Sequence, residues 1–269
     1  MMFPAIDKAQ VQSHFTEHAG EYDLYARVQK RVALRLLELT LQHPLAGPVL
    51  DVGTGTGEVA RRLLEHRPEE TVVVSDLAHD MTRTAGLNLP GVLAADGDAQ
   101  TLPFRDKSFG MVLSSSVFQW IEDLPTALAE CRRVLKPGGL FSFAMFCEGT
   151  LVELRETFRR ALSVCQSDWP FHFQSFPDQD EVEAAMLQAG FVDAHCHVEI
   201  EKEYHADFRR LLVGLKRIGA QNASRSRPRG LFPRRVMLEM NRYYRDAFQS
   251  DEGLSASYGV LYGVAVKRE

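Results

Sequence analysis

Short apolar runs recur at Val49–Val52, Thr71–Ser75, Gly91–Ala95, Met111–Leu113 and Leu140–Phe146. Helical patterns fall between most of them, near 57–66, 79–87 and 123–135. Strands this apolar have no polar face to offer water, so both of their faces must be covered. A parallel sheet with helices on either side meets that requirement. The first run is the most specific. Val49-Leu-Asp-Val-Gly-Thr-Gly-Thr-Gly57 carries one carboxylate and empties into three glycines, and Val59-Ala-Arg-Arg-Leu-Leu64 then reads as a helix. The order is strand, loop, helix, as in a nucleotide-binding βα unit.

A dinucleotide-binding turn spaces its glycines G-x-G-x-x-G, so that a pyrophosphate rests on the helix N-terminus. Here the glycines are Gly53, Gly55 and Gly57, with Asp51 just before them. A carboxylate aimed at that loop repels a pyrophosphate and favours a ligand with a positive end. S-adenosylmethionine (SAM) has an ammonium and a sulfonium, so the pattern favours SAM over a nicotinamide dinucleotide. Asp76 closes the second run, 21 residues after Gly55, near the spacing of an acid that grips ribose hydroxyls. The third run ends in Asp96-Gly-Asp98-Ala99. Asp98 is placed to accept from an adenine amino group, and the Ala99 amide to donate to a ring nitrogen. Acids at three successive strand ends fit binding at the carboxyl edge of a sheet. Asp80 reads as a helix cap.

Before the alternation, residues 7–43 predict two helices, with Val28, Val32, Leu36 and Leu39 at helical spacing and a break at Pro44–Pro48. Lys136-Pro-Gly-Gly139 predicts a helix stop and a turn. Beyond residue 150 the pattern predicts helices at 151–165 and 178–189 and a strand at Phe191–Ile200. A basic helical pair at 205–220 and 232–248 follows, its first member ended by Gly219, and Leu254–Lys267 is a last strand. Gly259 and Gly263 inside that strand imply a close backbone approach. Between His205 and Arg245 eleven Lys and Arg face only Asp207 and Glu239, a net +9 in a chain of net −5. A basic segment on an otherwise acidic protein points to an anionic partner.

The motifs Asp51–Gly57, Asp98-Ala-Gln-Thr-Leu-Pro-Phe104 and Arg133-Val-Leu-Lys-Pro-Gly-Gly139 resemble those of class I SAM-dependent methyltransferases, over roughly 45 to 147. The resemblance implies an α/β, Rossmann-like fold. Its seven-stranded, mostly parallel sheet would run 3-2-1-4-5-7-6 with an antiparallel last strand, under a helical cap. It implies a cofactor site in which Asp51 serves the methionyl end, Asp76 the ribose, and Asp98 with Ala99 the adenine. Gly53, Thr54, Gly55 and Gly57 would form the loop, Leu77 and Met81 would lie beside Asp76, and Ser114 and Ser115 would line the floor near the sulfonium.

The flanks carry a narrower resemblance. Phe15, Tyr22-Asp23, Ala26-Arg-Val-Gln29, Phe118-Gln-Trp120, Phe173 to Pro177, Leu215-Lys-Arg-Ile-Gly-Ala220 and Tyr262-Gly-Val264 are similar to malonyl-acyl-carrier-protein O-methyltransferases of the biotin pathway. The arginine-rich loop Gln221–Gly230 departs from that pattern. The resemblance implies methylation of the free carboxylate of a malonyl thioester, on acyl carrier protein or coenzyme A, with S-adenosylhomocysteine as the second product. Such a carboxylate has a pKa of about 4 and is ionised at neutral pH. No general base is therefore expected, and no base–nucleophile pair is visible. Tyr22, Gln119 and Lys216 are the positioning candidates. Tyr22 and Gln29 would lie on a helix closing over the cofactor. Phe118 and Trp120 would wall the acceptor pocket, with Lys216, Arg225, Arg227 and Arg229 as candidates to meet the acceptor carboxylate. Acyl carrier proteins are strongly acidic, so the basic segment has a natural partner in this account.

The chain then divides into N-terminal helices closing over the cofactor (1–44), a SAM-binding core (45–204 with 253–269) and a basic cap (205–252). Its 45% hydrophobic and 25% charged residues are those of an ordinary globular protein. No apolar run approaches the ~20 residues that cross a bilayer, and Met1–Gln10 has no signal-peptide pattern. Cys131, Cys147, Cys165 and Cys196 form no C-x-x-C pair, so neither a metal nor a redox motif is expected. The expectation is a cytoplasmic monomer without a membrane or nucleic-acid partner. Rival readings are a methyltransferase for a free acid such as trans-aconitate, one for a quinone or other small molecule, an RNA-binding protein, and a SAM sensor without turnover.

Overall fold

The computed structural model describes residues 7–18, 20–44, 47–218 and 230–268. Three N-terminal helices, α1 (Lys8–His18), α2 (Tyr22–Tyr25) and α3 (Arg27–Thr40), precede the sheet. Two were expected. The extra break falls at Ala26, whose ψ of 46 leaves the helical range. The alternation follows as β1 (Val49–Val52), α4 (Glu58–His66), β2 (Val72–Asp76), α5 (His79–Asn88), β3 (Leu93–Asp96) and β4 (Phe109–Ser115). After a 3-10 turn at Phe118–Trp120 come α6 (Leu124–Val134), β5 (Leu135–Cys147), α7 (Val152–Val164) and α8 (Gln179–Gln188). The chain closes with β6 (His195–His205), α9 (Phe208–Arg217), α10 (Arg234–Phe248), β7 (Gln249–Ser250) and β8 (Gly253–Val266).

The sheet order is β3-β2-β1-β4-β5-β8-β6, with the two-residue β7 paired to β8 alone. β1 to β5 pair in parallel, and β8 runs antiparallel to both β5 and β6. With β7 set aside this is the expected 3-2-1-4-5-7-6. The differences are local. β6 starts at His195 rather than Phe191, because Phe191 instead stacks on Phe141 in the core. β5 begins directly at Leu135, where a turn was expected. There the Gly138 N–H donates to the Lys267 carbonyl, and the Lys267 N–H to Gly139. Asp80 is not a cap. Ala78 holds the N-cap position of α5, and Asp80 sits inside the first turn.

One sheet face packs on α6 and α8 through Ala127, Leu128, Cys131, Val182 and Met186. The opposite face packs on α3, α4 and α5 through Leu37, Val59, Leu63 and Ala85. A third cluster joins α9 and α10 (Leu211, Leu215, Val236, Met240, Tyr244) to α3, α7 and the β5–β8 end of the sheet. The basic segment thus shares its core with the N-terminal helices. Gly219 and Arg225, Arg227 and Arg229 lie outside the described residues. No described helix is long and apolar enough to cross a membrane.

The expected close approach at Gly259 and Gly263 is present. A Cβ on Gly259 would stand 2.2 Å from the Glu148 carbonyl oxygen, and one on Gly263 would stand 2.3 Å from the Phe143 ring. Overpacking of this kind costs about 1–3 kcal/mol. Gly259→Ala should lower stability by about that much in urea unfolding, and by more than Gly263→Ala, because a side chain can give way and a backbone carbonyl cannot.

Candidate cofactor and acceptor site

Parallel strands end at one edge, and the register aligns the chemistry there. Asp51 of β1 lies opposite Val74 of β2 and Leu113 of β4, and Asp76 lies opposite Asp96 of β3. The glycine loop folds over this edge. The Gly53 and Thr54 amides both donate to the Ser75 carbonyl, at 2.7 and 3.0 Å. Gly53 has φ +67, and a Cβ on it would meet Val117 at 2.2 Å, so only glycine fits. Asp76 braces the loop from β2. Its Oδ2 accepts from the Gly55 N–H and its Oδ1 from the Ala78 N–H, both at 2.9 Å. Each carboxylate oxygen keeps a further lone pair, and Asp76 lines the cavity above the loop. Burial raises its pKa, against the pull of these backbone donors.

The cavity brings together Tyr22, Gln29, Gly53, Thr54, Gly55, Asp76, Leu77, Met81, Asp98, Ala99, Ser115 and Trp120. It leaves out Asp51, Gly57, Ser114, Phe118, Gln119 and Lys216. Asp51 is 1% exposed and lies beneath the loop, where Oδ2 accepts from the Thr54 hydroxyl at 2.7 Å. Burial pushes its carboxyl up to about 7, and the Thr54 hydroxyl acts in the opposite direction. Gly57 starts α4 with φ +94. The Ser114 hydroxyl donates to the Val52 carbonyl in the core. Phe118 packs edge-on against Phe141 and Phe143, so it belongs to the core and not to the pocket wall. Gln119 is tied at both ends of its amide, donating to the Ser116 carbonyl at 2.6 Å and accepting from the Phe146 N–H at 3.3 Å. It therefore holds the 3-10 turn and does not face a ligand. Lys216 is exposed on α9, in a separate groove.

The cover over the cavity is α1, one of the N-terminal helices, and it closes partly through Lys8 and Gln12, which the sequence reading did not single out. Lys8 pairs with Asp98, Gln12 donates to the Leu77 carbonyl at 3.0 Å, and Phe15 packs on Tyr22 and Trp120. The available signal was Val11 and Phe15 at i, i+4, an apolar face on a short helix. Burial, followed by the charges of Asp76 and Asp23, raises the Tyr22 phenol, which stays a donor at neutral pH. Ser115 and Ser116 line the cavity, and their buried hydroxyls have no hydrogen-bond partner among the described residues. A cleft lined by four acids (Glu58, Asp76, Asp98 and Glu122) against two lysines (Lys8 and Lys30), with orphaned hydroxyls and a backbone loop, suits a ligand that is polar along its length with a cationic end.

Comparisons with known proteins agree. Residues 50–143 match the methyltransferase domain family. A structure of a SAM-dependent methyltransferase from Thermotoga maritima covers 95% of this chain and 99% of its own, with TM-score 0.56 at 18% identity. The fold and the domain match together define a protein with a methyltransferase domain. The malonyl-[acyl-carrier protein] O-methyltransferase of Geobacter sulfurreducens is 44% identical over 96% of this chain and 98% of its own length. That of Halorhodospira halophila is 37% identical over 97% and 88%. The chain belongs to the malonyl-[acyl-carrier protein] O-methyltransferase family.

Folded Asp51 keeps its proton up to about pH 7, while the unfolded group loses it near 3.8. Between those values the folded state binds more protons, so stability falls as pH rises through the window. Asp51→Asn should therefore unfold at a higher temperature than the native protein at about pH 8, with the difference shrinking toward pH 4. Melting curves across that range with parallel pH profiles would refute the assignment.

Proposed function

We propose that the protein transfers the methyl group of SAM to the free carboxylate of a malonyl thioester on acyl carrier protein. The supporting observation is near-full-length similarity to that family, joined to an acid-lined, loop-floored cavity at the carboxyl edge of the sheet. When bound, SAM supplies an electrophilic methyl on a sulfonium. The chain's own residues bind and position. Asp76 offers its remaining lone pairs to the ribose hydroxyls, Asp98 and the Ala99 amide meet the adenine, and Gly53–Gly55 presents backbone along the ligand. Ser115 and Ser116 provide free hydroxyls toward the methionyl end.

The acceptor is already ionised at neutral pH, so no residue need take its proton. What remains is orientation and exclusion of water. Phe15 and Trp120 close the cleft with apolar rings, and the protonated Tyr22 phenol can donate to a carboxylate within it. The N-terminal helices act as the cover of the cofactor, and residues 205–252 form a cap for the carrier. A neutral ester product removes the charge that would keep a malonyl group from following an apolar acyl path.

Labelled SAM should transfer its methyl to malonyl-acyl carrier protein in preference to free malonate or trans-aconitate. Transfer only to a free acid would overturn the carrier reading. Asp76→Ala removes two acceptors from the ribose position and should weaken SAM binding by about 10–100-fold in calorimetry, roughly 1.4–2.8 kcal/mol. Unchanged affinity would remove Asp76 from the cofactor site.

A further inference from the structure

A groove runs between α9 and α10, apart from the cofactor cavity. Arg209, Leu212 and Lys216 stand at i, i+3 and i+7 on α9, and so share one helix face. Met237, Leu238 and Arg245 supply the facing wall from α10. Leu238 is 58% exposed, although Val236 and Met240 beside it are core. The result is an apolar strip with three cations on its rim.

Among the described residues Arg209, Lys216 and Arg245 make no ion pair, whereas Arg217 pairs with Glu21, and Arg242 with Glu239 and Asp246. Asp207, the acid at the end of the groove, turns its carboxylate to the Arg210 N–H at 2.7 Å as the cap of α9. An unpaired basic rim around apolar side chains complements an acidic helix with an apolar stripe. The position also suits a delivered substrate. α9 packs on α2, through the Arg217–Glu21 pair, and the next residue, Tyr22, lines the cofactor cavity. A partner in the groove sits beside the cavity wall without filling it.

We propose that this groove is the docking seat of the acidic carrier protein, taking one amphipathic acidic helix of it. The inference rests on the carrier-borne substrate proposed above. The rim pairs would be exposed, so they steer encounter and are screened by salt. Lys216 then serves docking, not the acceptor carboxylate.

The test is fluorescence anisotropy with labelled malonyl-acyl carrier protein, at low and high salt, alongside methyl transfer to malonyl-coenzyme A. Arg209→Glu with Arg245→Glu should weaken carrier binding at low salt by about tenfold or more, with the difference fading at high salt. Leu238→Ser should weaken it about threefold without changing the salt dependence. Transfer to malonyl-coenzyme A, which has no carrier helix, should stay within about twofold of native for both variants. Native protein that does not bind the carrier, variants that bind it as native does, or an equal fall with both acceptors would overturn the proposal. Loss of carrier binding in the variants, with no methyl transfer by native protein to any acceptor, would keep the groove and sink the reaction instead.

Discussion

β1 is the strand on which the rest of the molecule is registered. All four of its residues are buried, because β2 and β4 flank it and helices cover both faces of the sheet. A strand with no exposed face can present chemistry only at its end. The Gly53–Gly57 loop does so, anchored by two amides on the Ser75 carbonyl of the neighbouring strand. Loop, β2 and cavity floor are therefore one hydrogen-bonded unit, and the position of every candidate cofactor contact follows from it.

Charge is the second theme. Asp51 is buried beside the half-buried Asp76, and repulsion from Asp76 adds to the burial that raises the Asp51 carboxyl. The protein alone pays for that arrangement in stability at neutral pH, since a buried carboxyl resists ionisation. A ligand with a cationic end would relieve it. The same logic with the opposite sign applies in the groove of α9 and α10, where Arg209, Lys216 and Arg245 stand exposed with no ion pair among the described residues. The molecule thus separates an acid-lined cleft for a cationic ligand from a basic groove for an anionic one, with α2 between them.

The strand-end acids were legible because their geometry is local. Asp76 and Asp98 end or follow short runs whose parallel pairing brings them to one edge, whatever the rest of the chain does. The contacts by which the cover closes were not legible. Lys8 and Gln12 meet Asp98 and Leu77 across 90 and 65 residues of chain, and such pairings leave no periodic trace. Phe118-Gln-Trp120 shows a finer limit. Three consecutive side chains on a 3-10 turn leave in three directions, one to the core, one to the backbone and one to the cavity. Nothing in residue type alone tells them apart.

The amino-acid sequence by itself determined the doubly covered parallel sheet, the glycine loop and the acids beside it. Each of these follows from apolar periodicity or from spacing within a single βα unit. The tertiary structure decided that Asp51 lies under the loop while Asp76 lines the cavity, that Lys8 and Gln12 of α1 tie the cover to Asp98 and Leu77, and that Lys216 belongs to a separate groove. Those outcomes depend on how helices distant in sequence pack against the sheet, and packing selects among side chains that look equivalent along the chain.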